Sequence, residues 1–224
     1  MVANRTAGRA KVKAPKSPAS RRTVRQARLA HTPMHTLGPF YPFDLLGEHD
    51  HDLTFTGDPA KRARGERILI KGRLFEKNRV PRINALIEIW QADAAGTFAH
   101  PADPGHAGAD VHFMGWGRSK TDREGRFHFV TVKPGGYQDP LTGTRRAPHI
   151  NLMISSSGLM NRLVTSLFFP DEPDNAGDVV LNAVRNRARR ERLIAQHAAG
   201  RAKHGQLNFD IILRGPDETP FFAD

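Results

Sequence analysis

Short runs of alternating apolar and polar residues, separated by turns rich in Gly and Pro, recur along the chain from position 66 onwards. The clearest run, 126–132, places Phe127, Phe129 and Thr131 on one face, because successive side chains of a strand point to opposite sides. Apolar, β-rich runs predict further strands over 68–75, 85–91, 149–154 and 163–169, and a last one through Leu207, Phe209, Ile211 and Leu213. This spacing predicts an all-β fold, an antiparallel β-sandwich with short helical and loop excursions.

One segment, residues 178–199, has the pattern of a helix instead. Its apolar residues stand among arginines, and they are Val180, Leu181, Val184, Leu193 and Ile194. We predict one helix there, which lies on the surface of the sandwich and packs by a single face. No apolar run approaches the roughly 18 residues that a membrane-spanning helix needs, so we expect no membrane insertion.

The first 30 residues differ in composition from the rest of the chain. Nine of the 34 basic residues and none of the 23 acidic residues lie there, together with Pro15 and Pro18. Such a segment buries too little apolar surface to offset its ordering entropy, so we predict a disordered basic extension over 1–30 and a folded domain over 31–224. Because the basic charge belongs mainly to the extension, the folded domain gives no electrostatic reason to expect nucleic acid binding.

The composition and spacing exclude several kinds of site. The chain has no cysteine, which excludes disulfide bonds, thiolate ligands and a cysteine nucleophile, and the expected location is a reducing cytoplasm. No Ser–His–Asp spacing and no paired carboxylates are recognisable. None of the glycines has the strand–turn–helix context of a nucleotide-binding loop.

A candidate half-site for a metal lies at Tyr137, His149 and Asn151. A strand through residues 149–154 would point His149 and Asn151 to the same side, and Tyr137 could add a phenolate. An amide is a poor ligand for iron compared with imidazole or phenolate, and the only other tyrosine of the chain is Tyr41. Two good donors fall below the three that a stable site usually has, so a packed histidine and a packed tyrosine remain an alternative.

Residues 32–42 form a segment dense in Pro and Gly, in which Pro33, Pro39 and Pro42 exclude the interior of a helix. We predict an irregular or extended loop. Its aromatic residues either pack on the core or line a pocket, and the pattern does not decide between these two roles.

Five blocks of sequence then follow one another in a fixed order. They are Thr36-x-Gly38-Pro39-x-Tyr41, 84–93, 117–129, 131–135 and 147–151. Together these blocks resemble the intradiol ring-cleaving dioxygenases, and among them the alpha chains of protocatechuate 3,4-dioxygenases. The resemblance covers roughly residues 33–224 and leaves the basic extension outside it.

The resemblance implies that this chain carries only part of a ferric site. In that family the iron-bearing beta chain holds Fe(III) with two tyrosines and two histidines. Tyr137 corresponds to the second tyrosine and His149 to the first histidine. Asn151 stands at the second histidine, and the first tyrosine falls near Gly105. The resemblance therefore implies that Fe(III) is held by a homologous beta subunit, and that this chain binds no metal itself.

The resemblance also implies a role beside the partner's iron. The loop with Thr36, Gly38, Pro39 and Tyr41 is expected to line the substrate site. Alpha chains usually carry an arginine where Ser157 stands here, so another arginine, with Arg162 the nearest in sequence, would have to replace it, or affinity for a carboxylated catechol is reduced.

The implied reaction belongs to aromatic catabolism by the beta-ketoadipate pathway. A catechol-type substrate, protocatechuate, is opened by O2 between its two hydroxyls to give 3-carboxy-cis,cis-muconate. Two other functions stay open. One is a self-sufficient intradiol catechol dioxygenase completed by Tyr41 and a histidine outside the motif. The other is a β-sandwich binding module whose basic extension contacts nucleic acid.

Overall fold

Two β-sheets enclose one hydrophobic core in the computed structural model, which describes Thr36, Gly38, Phe43 and residues 46–198 and 205–222. The predicted basic extension 1–30, and Pro39 and Tyr41 of the predicted substrate loop, lie outside the described residues. The strands are β1 Arg67–Phe75, β2 Leu86–Trp90, β3 Trp116–Lys120, β4 Arg126–Val132, β5 Tyr137–Gln138, β6 Arg145–Arg146, β7 His149–Ser155, β8 Leu163–Phe168, β9 Gln196–His197, β10 Gln206–Asn208 and β11 Ile211–Ile212.

The first sheet is built around β1. Strand β4 pairs with β1 antiparallel along its whole length, from Arg67 opposite Val132 to Arg73 opposite Arg126. The short strands β10 and β11 pair with β1 in parallel, and β9 extends the sheet from β10. The last strands of the chain therefore pair directly with the first one.

The second sheet has the order β3-β2-β7-β8, and all of its neighbouring strands are antiparallel. We call the side of this sheet that faces away from the first sheet its outer face. Strands β5 and β6 form a separate two-stranded ribbon beside it. The predicted all-β sandwich is confirmed.

The core lies between the sheets because each strand turns its alternate apolar residues inwards. The first sheet contributes Ile68, Ile70, Leu74, Phe127 and Phe129, and the second contributes Ile87, Ile89, Ile150, Leu152 and Ile154. The alternating residues near the C-terminus, Leu207, Phe209, Ile211 and Leu213, are also buried here. The predicted inward faces are thus the observed ones.

The prediction of one helix over 178–199 is wrong. Two five-residue helices, α1 Val179–Ala183 and α2 Arg187–Glu191, are separated by an extended connection, and residues 192–198 form a turn and the strand β9. The break has a local cause, because the backbone is extended at Val184 and Asn186, and the Asn186 side chain caps the start of α2 by accepting from the Arg189 amide. The described residues also contain short 3-10 helices at Lys77–Arg79, His106–Gly108 and Pro173–Ala176. None of the described helices has the length and apolar character needed to cross a bilayer.

Candidate functional site

Strand β7 points His149 and Asn151 away from the core, as its alternation predicts. Ile150 and Leu152 between and beyond them are buried in the core, while Asn151 is partly exposed on the outer face. His149 is buried, with 4% of its surface exposed, because the ribbon and the helical segment cover this end of the strand. The two residues of the predicted half-site therefore share one side of the sheet but differ in their access to solvent.

Tyr137 is placed by the close contact of two glycine-containing turns. A methyl group at Gly135 would come within 2.6 Å of the Gly96 amide nitrogen, and one at Gly96 within 2.5 Å of the Gly136 oxygen. Asp93 fixes the first of these turns, since its carboxylate accepts from the Ala95 and Thr97 amides. Only glycine permits this approach, which brings the start of β5 against the loop that follows β2.

The half-site lies within a row of aromatic rings that contact one another. The Tyr137 and His149 rings lie with their centroids 5.6 Å apart, and His149 stacks on Phe168 at 5.5 Å. On its other side Tyr137 meets Phe98 edge-on at 5.1 Å, and Phe98 in turn contacts Trp90 at 6.2 Å. The sequence reasoning did not single out Phe98, whose only signal is its place just after the turn that ends β2. An apolar ring thus lies beside the two candidate ligands.

The protonation of His149 and Tyr137 follows from their burial. Burial, reinforced by the nearby Arg146 charge, lowers the pKa of His149 to about 4, so the imidazole is neutral at pH 7. Its Nδ1 donates to the Ala147 oxygen at 2.7 Å, which leaves Nε2 as the ring atom with a lone pair. Burial raises the pKa of Tyr137 and outweighs the opposing effect of Arg146, so this side chain is a neutral phenol.

A buried ion pair lies next to the half-site, beside the start of strand β7. Arg146 Nε donates to Asp178 Oδ2 at 2.9 Å, and the Asp178 side chain is fully buried. The same carboxylate accepts from the amides of Ala147, Val180 and Leu181. Burial alone would raise the pKa of Asp178, but these hydrogen bonds and the Arg146 charge hold it below its usual value. One aspartate therefore joins β6, the start of β7 and α1.

The positions of the two missing ligands offer no further good donor. Asn151 Oδ1 accepts from the Ser166 hydroxyl at 2.9 Å, so its amide oxygen is already used within the sheet. Gly105 lies in an exposed loop, where an added side chain would first meet Asp103 and Thr97. Within the described residues, no group of three or more His, Asp or Glu side chains is arranged to hold a metal ion.

The donor set of the described half-site consists of one neutral imidazole nitrogen and one neutral phenol. This set does not fit a ferric ion, which needs at least three protein ligands for a stable site and binds tyrosine as phenolate. Phe98, which packs edge-on against Tyr137, brings no donor atom. As a chemical arrangement, the half-site is a packed aromatic cluster.

The predicted substrate residues Thr36 and Ser157 come together, although 121 positions in sequence separate them. The Thr36 hydroxyl donates to the Ser156 oxygen at 3.2 Å and accepts from the Gly158 amide at 2.8 Å. It therefore holds both sides of the turn whose exposed corner is Ser157. Gly38 follows two residues later, and it has open space where a side chain would begin.

The arginine at this turn is Arg82, which sequence reasoning missed. Its Nε donates to the Ser156 hydroxyl at 2.8 Å and its Nη2 donates to the Ser157 oxygen. Its other terminal nitrogen lies 3.5 Å from a Glu76 carboxylate oxygen. Arg162, the nearest arginine in sequence to Ser157, lines a groove on the outer face instead. No sequence signal links Arg82 to the turn, because 74 positions separate it from Ser156.

Known proteins are similar to this chain in sequence and in architecture. The family model described as "Dioxygenase" matches residues 37–215. The chain is 38% identical over 186 residues to a protocatechuate 3,4-dioxygenase beta chain from Burkholderia cepacia, covering 81% of this chain and 79% of that one. It is 35% identical over 201 residues to the alpha chain from Burkholderia cepacia, covering 87% of this chain and 98% of that one.

Solved structures of intradiol dioxygenases have a similar fold. An intradiol ring-cleavage dioxygenase from Tetranychus urticae aligns with a TM-score of 0.55 at 17% identity, over 82% of this chain and 94% of that chain. At this identity the likeness concerns the fold alone, and it agrees with the sandwich described above. The matching model spans both sheets and the half-site between Tyr137 and Asn151, and the relatives are similar over most of the chain. By its sequence and its fold, therefore, the chain belongs to the intradiol dioxygenase family.

Proposed function

We propose that this chain is the non-iron alpha-type subunit of a protocatechuate 3,4-dioxygenase. In the complex it would work with a homologous beta-type chain that holds Fe(III), since intradiol dioxygenases depend on iron. The complex would open protocatechuate with O2 between the two hydroxyls to give 3-carboxy-cis,cis-muconate. The contribution of this chain is the shape of the substrate site and the assembly of the complex.

The observation that carries the proposal is the state of the half-site. Identity alone separates the two chain types poorly, because the values are 38% for the beta chain and 35% for the alpha chain. The side chains at the ligand positions separate the two chain types better than the overall identity does. Asn151 and Gly105 stand where the resemblance places ligands, and the ring that packs against Tyr137 is Phe98, which has no donor atom. The alignment to the alpha chain also runs over 98% of its length, against 79% for the beta chain.

The second support for the proposal is the anchored loop. Thr36 is held by two hydrogen bonds at the turn 156–158, and Arg82 holds the same turn from Ser156 and Ser157. This arrangement gives residues 36–38 a fixed starting point beside the sheet. In the proposed complex, the loop of Thr36, Gly38, Pro39 and Tyr41 would contribute to the substrate site of the partner, with Ser157 at its edge.

The proposal is tested with the purified chain, alone and together with a homologous beta-type chain. We expect the chain alone to lack the visible tyrosinate-to-iron absorption and any ring cleavage, because its donor set does not fit ferric iron. Absorption and turnover should both appear when the beta-type chain is present. Iron analysis and oxygen uptake with protocatechuate are the measurements.

The same experiment separates the alternatives. A self-sufficient dioxygenase would hold about one iron per isolated chain, and this iron would be lost in a Tyr137→Phe variant. A coloured and active isolated chain would overturn the two-chain proposal. A nucleic-acid-binding module would instead show RNA binding that weakens steeply with salt and that disappears when residues 1–30 are removed.

A further inference from the structure

The largest groove on the described part of the chain lies on the first sheet, on the side that faces away from the core. Lys71 and Arg73 of β1 point to this side and are exposed, because the alternate residues Ile70 and Leu74 are buried in the core. The groove has a volume of about 1180 Å³. We call it the cationic groove, and the side chains that define it here are Lys71, Arg73, His128, Asn208 and Gln196.

The pairing of β1 with β4 places basic side chains opposite one another in this groove. Arg73 is directly opposite Arg126, and Lys71 is directly opposite His128. Directly opposite residues of an antiparallel pair have Cβ atoms about 4.5–5.5 Å apart, so two like charges at such a position destabilise the sheet. The two arginines therefore form a cross-strand pair that an anion bound between them would stabilise.

The described acidic side chains that line the groove are already paired with arginines. With nitrogen–oxygen distances of 2.7 to 3.5 Å, the pairs are Asp122–Arg126, Glu191–Arg187, Asp210–Arg79 and Asp217–Arg192. Within the described residues, the side chains of Lys71 and Arg73 make no ion pair and no hydrogen bond. The groove therefore contains two exposed cations whose charge no carboxylate of the described chain compensates.

Further polar side chains extend the row of Lys71 across the sheet. Asn208 on β10 is the register partner of Lys71, and Gln196 on β9 is the register partner of Asn208. Among the described residues, neither of these two side-chain amides makes a hydrogen bond. On the other side of Lys71, the His128 ring contacts the His51 ring, with the centroids 4.5 Å apart. The row thus offers an ammonium, two amides and two imidazoles as donors to a bound oxyanion.

From these observations we infer that the cationic groove binds a small organic anion with two or more carboxylate or phosphate groups. Lys71 and Arg73 are two residues apart on one side of a strand, so their Cα atoms are about 7 Å apart. An anion with two charged groups compensates both cations at once, and the Arg73 guanidinium can donate to one of these groups with two parallel N–H bonds. Asn208 and Gln196 donate to its remaining oxygen atoms. The inference does not depend on the proposed function, because binding here requires neither iron nor a partner chain.

The groove is tested by titrating the full chain with citrate and with pyrophosphate at low ionic strength. Proton–carbon NMR of the imidazole rings follows binding, and a His128→Gln variant assigns the His128 resonance. We expect this resonance to shift and to saturate with at least one of the two probes, because His128 is directly opposite Lys71. Sodium chloride at the same ionic strength should not reproduce the shift. The probe that binds more tightly identifies the groove as a carboxylate site or a phosphate site.

Removal of one cation at a time gives an independent measurement. Lys71→Met and Arg73→Met should each weaken binding of the tighter probe by about 10-fold in Kd, because each removes a charged donor. The matched control is Arg62→Met, since Arg62 is exposed and does not line the groove, and this control should keep the Kd of the wild type. Without any anion, Arg73→Met should unfold at a urea concentration at least as high as the wild type does, because it relieves the repulsion from Arg126.

The outcomes separate the groove from the proposed function. If neither probe gives a saturating shift, or if sodium chloride gives the same shift, the positive charge is only screened by salt and the inference is wrong. Folded Lys71→Met and Arg73→Met variants that bind the probe like the wild type would also overturn it. A saturating titration that both variants weaken supports the groove even if no active complex forms with a beta-type chain, and that second result would count against the proposed function alone.

Discussion

His149 is a side chain of a metal-ligand type that is buried among aromatic rings. Its Nδ1 donates to the Ala147 oxygen, its ring stacks on Phe168, and Tyr137 covers the other side. Burial among these rings, reinforced by the Arg146 charge, lowers the pKa of His149 and outweighs the Ala147 hydrogen bond, which favours protonation. The side chain therefore packs as an aromatic residue with one internal hydrogen bond.

This environment predicts a pH dependence of stability. The pKa of His149 is about 4 in the folded chain and about 6.5 in the unfolded chain, so the unfolded state binds the extra proton as the pH falls. Stability from this group is therefore present above pH 6.5 and is lost as the pH falls towards 4. We expect the free energy of unfolding to decrease by about 2 kcal/mol from this group between pH 7.5 and pH 5.

The measurement is urea unfolding at several pH values for wild type and for a His149→Gln variant. The variant should be less stable at pH 7.5 but should lose less stability on acidification, and the difference between the two slopes belongs to His149. The matched control is His106→Gln in an exposed loop, which should keep the slope of the wild type. Equal slopes for wild type and His149→Gln would contradict the buried neutral imidazole.

At the scale of elements, the Arg146–Asp178 pair connects the strand ribbon to the helical segment. Asp178 caps α1 and at the same time accepts from Arg146 and from the amide that precedes β7. The neighbouring pair, Arg145 and Asp174, has a similar distance of 3.0 Å but is exposed. Two adjacent arginines thus form one buried and one exposed pair with aspartates four positions apart.

This contrast predicts unequal losses of stability. Asp178→Ala should cost about 3–5 kcal/mol, because it removes the helix cap and leaves the Arg146 charge buried without its partner. Asp174→Ala, the matched control, should cost less than about 1 kcal/mol, because the pair is screened by solvent. Urea unfolding of both variants is the measurement.

A second comparison tests the reason for the loss. The double variant Arg146→Met/Asp178→Ala should be more stable than Asp178→Ala, because no unpaired charge then remains buried. If the double variant is the less stable of the two, the buried charge is not the cause and the helix cap dominates. Equal losses for Asp178→Ala and Asp174→Ala would contradict the account of both pairs.

At the scale of the whole molecule, the hydrophobic core of the described residues runs from Leu53 to Leu213. Among the described residues, the core begins at Leu53 and its strands begin at Arg67, and the last strands of the chain complete the sheet around β1. The family model likewise matches from residue 37. We therefore propose that residues 31–224 are the folding unit.

Removal of residues 1–30 should leave this unit intact. We expect the free energy of unfolding to change by less than about 0.5 kcal/mol, since the removed segment has no large apolar surface to bury. Urea unfolding of the full chain and of residues 31–224 under the same buffer conditions is the comparison. A loss of several kcal/mol would place the boundary of the domain further towards the N-terminus.

Much of the fold and part of the site could be predicted from the sequence. Alternation with a period of two is a local property, and it gave the strands, their inward faces and the common side of His149 and Asn151. The breaks between elements were harder to predict from the sequence. The sequence predicts a continuous helix over 178–199 because its apolar residues span the whole segment, whereas the cap at Asn186 starts a second helix within it.

By itself the sequence determined the architecture and the residue types that stand at positions 137, 149 and 151, because alternation and residue type are properties of the order of the chain. Only the tertiary structure decided which distant residues meet. It brought Arg82 and Thr36 to the turn at Ser157, placed Phe98 against Tyr137, and left two tryptophans open side by side. These contacts depend on strand register and on the path of loops across the sheets, and neither is encoded by any short stretch of sequence.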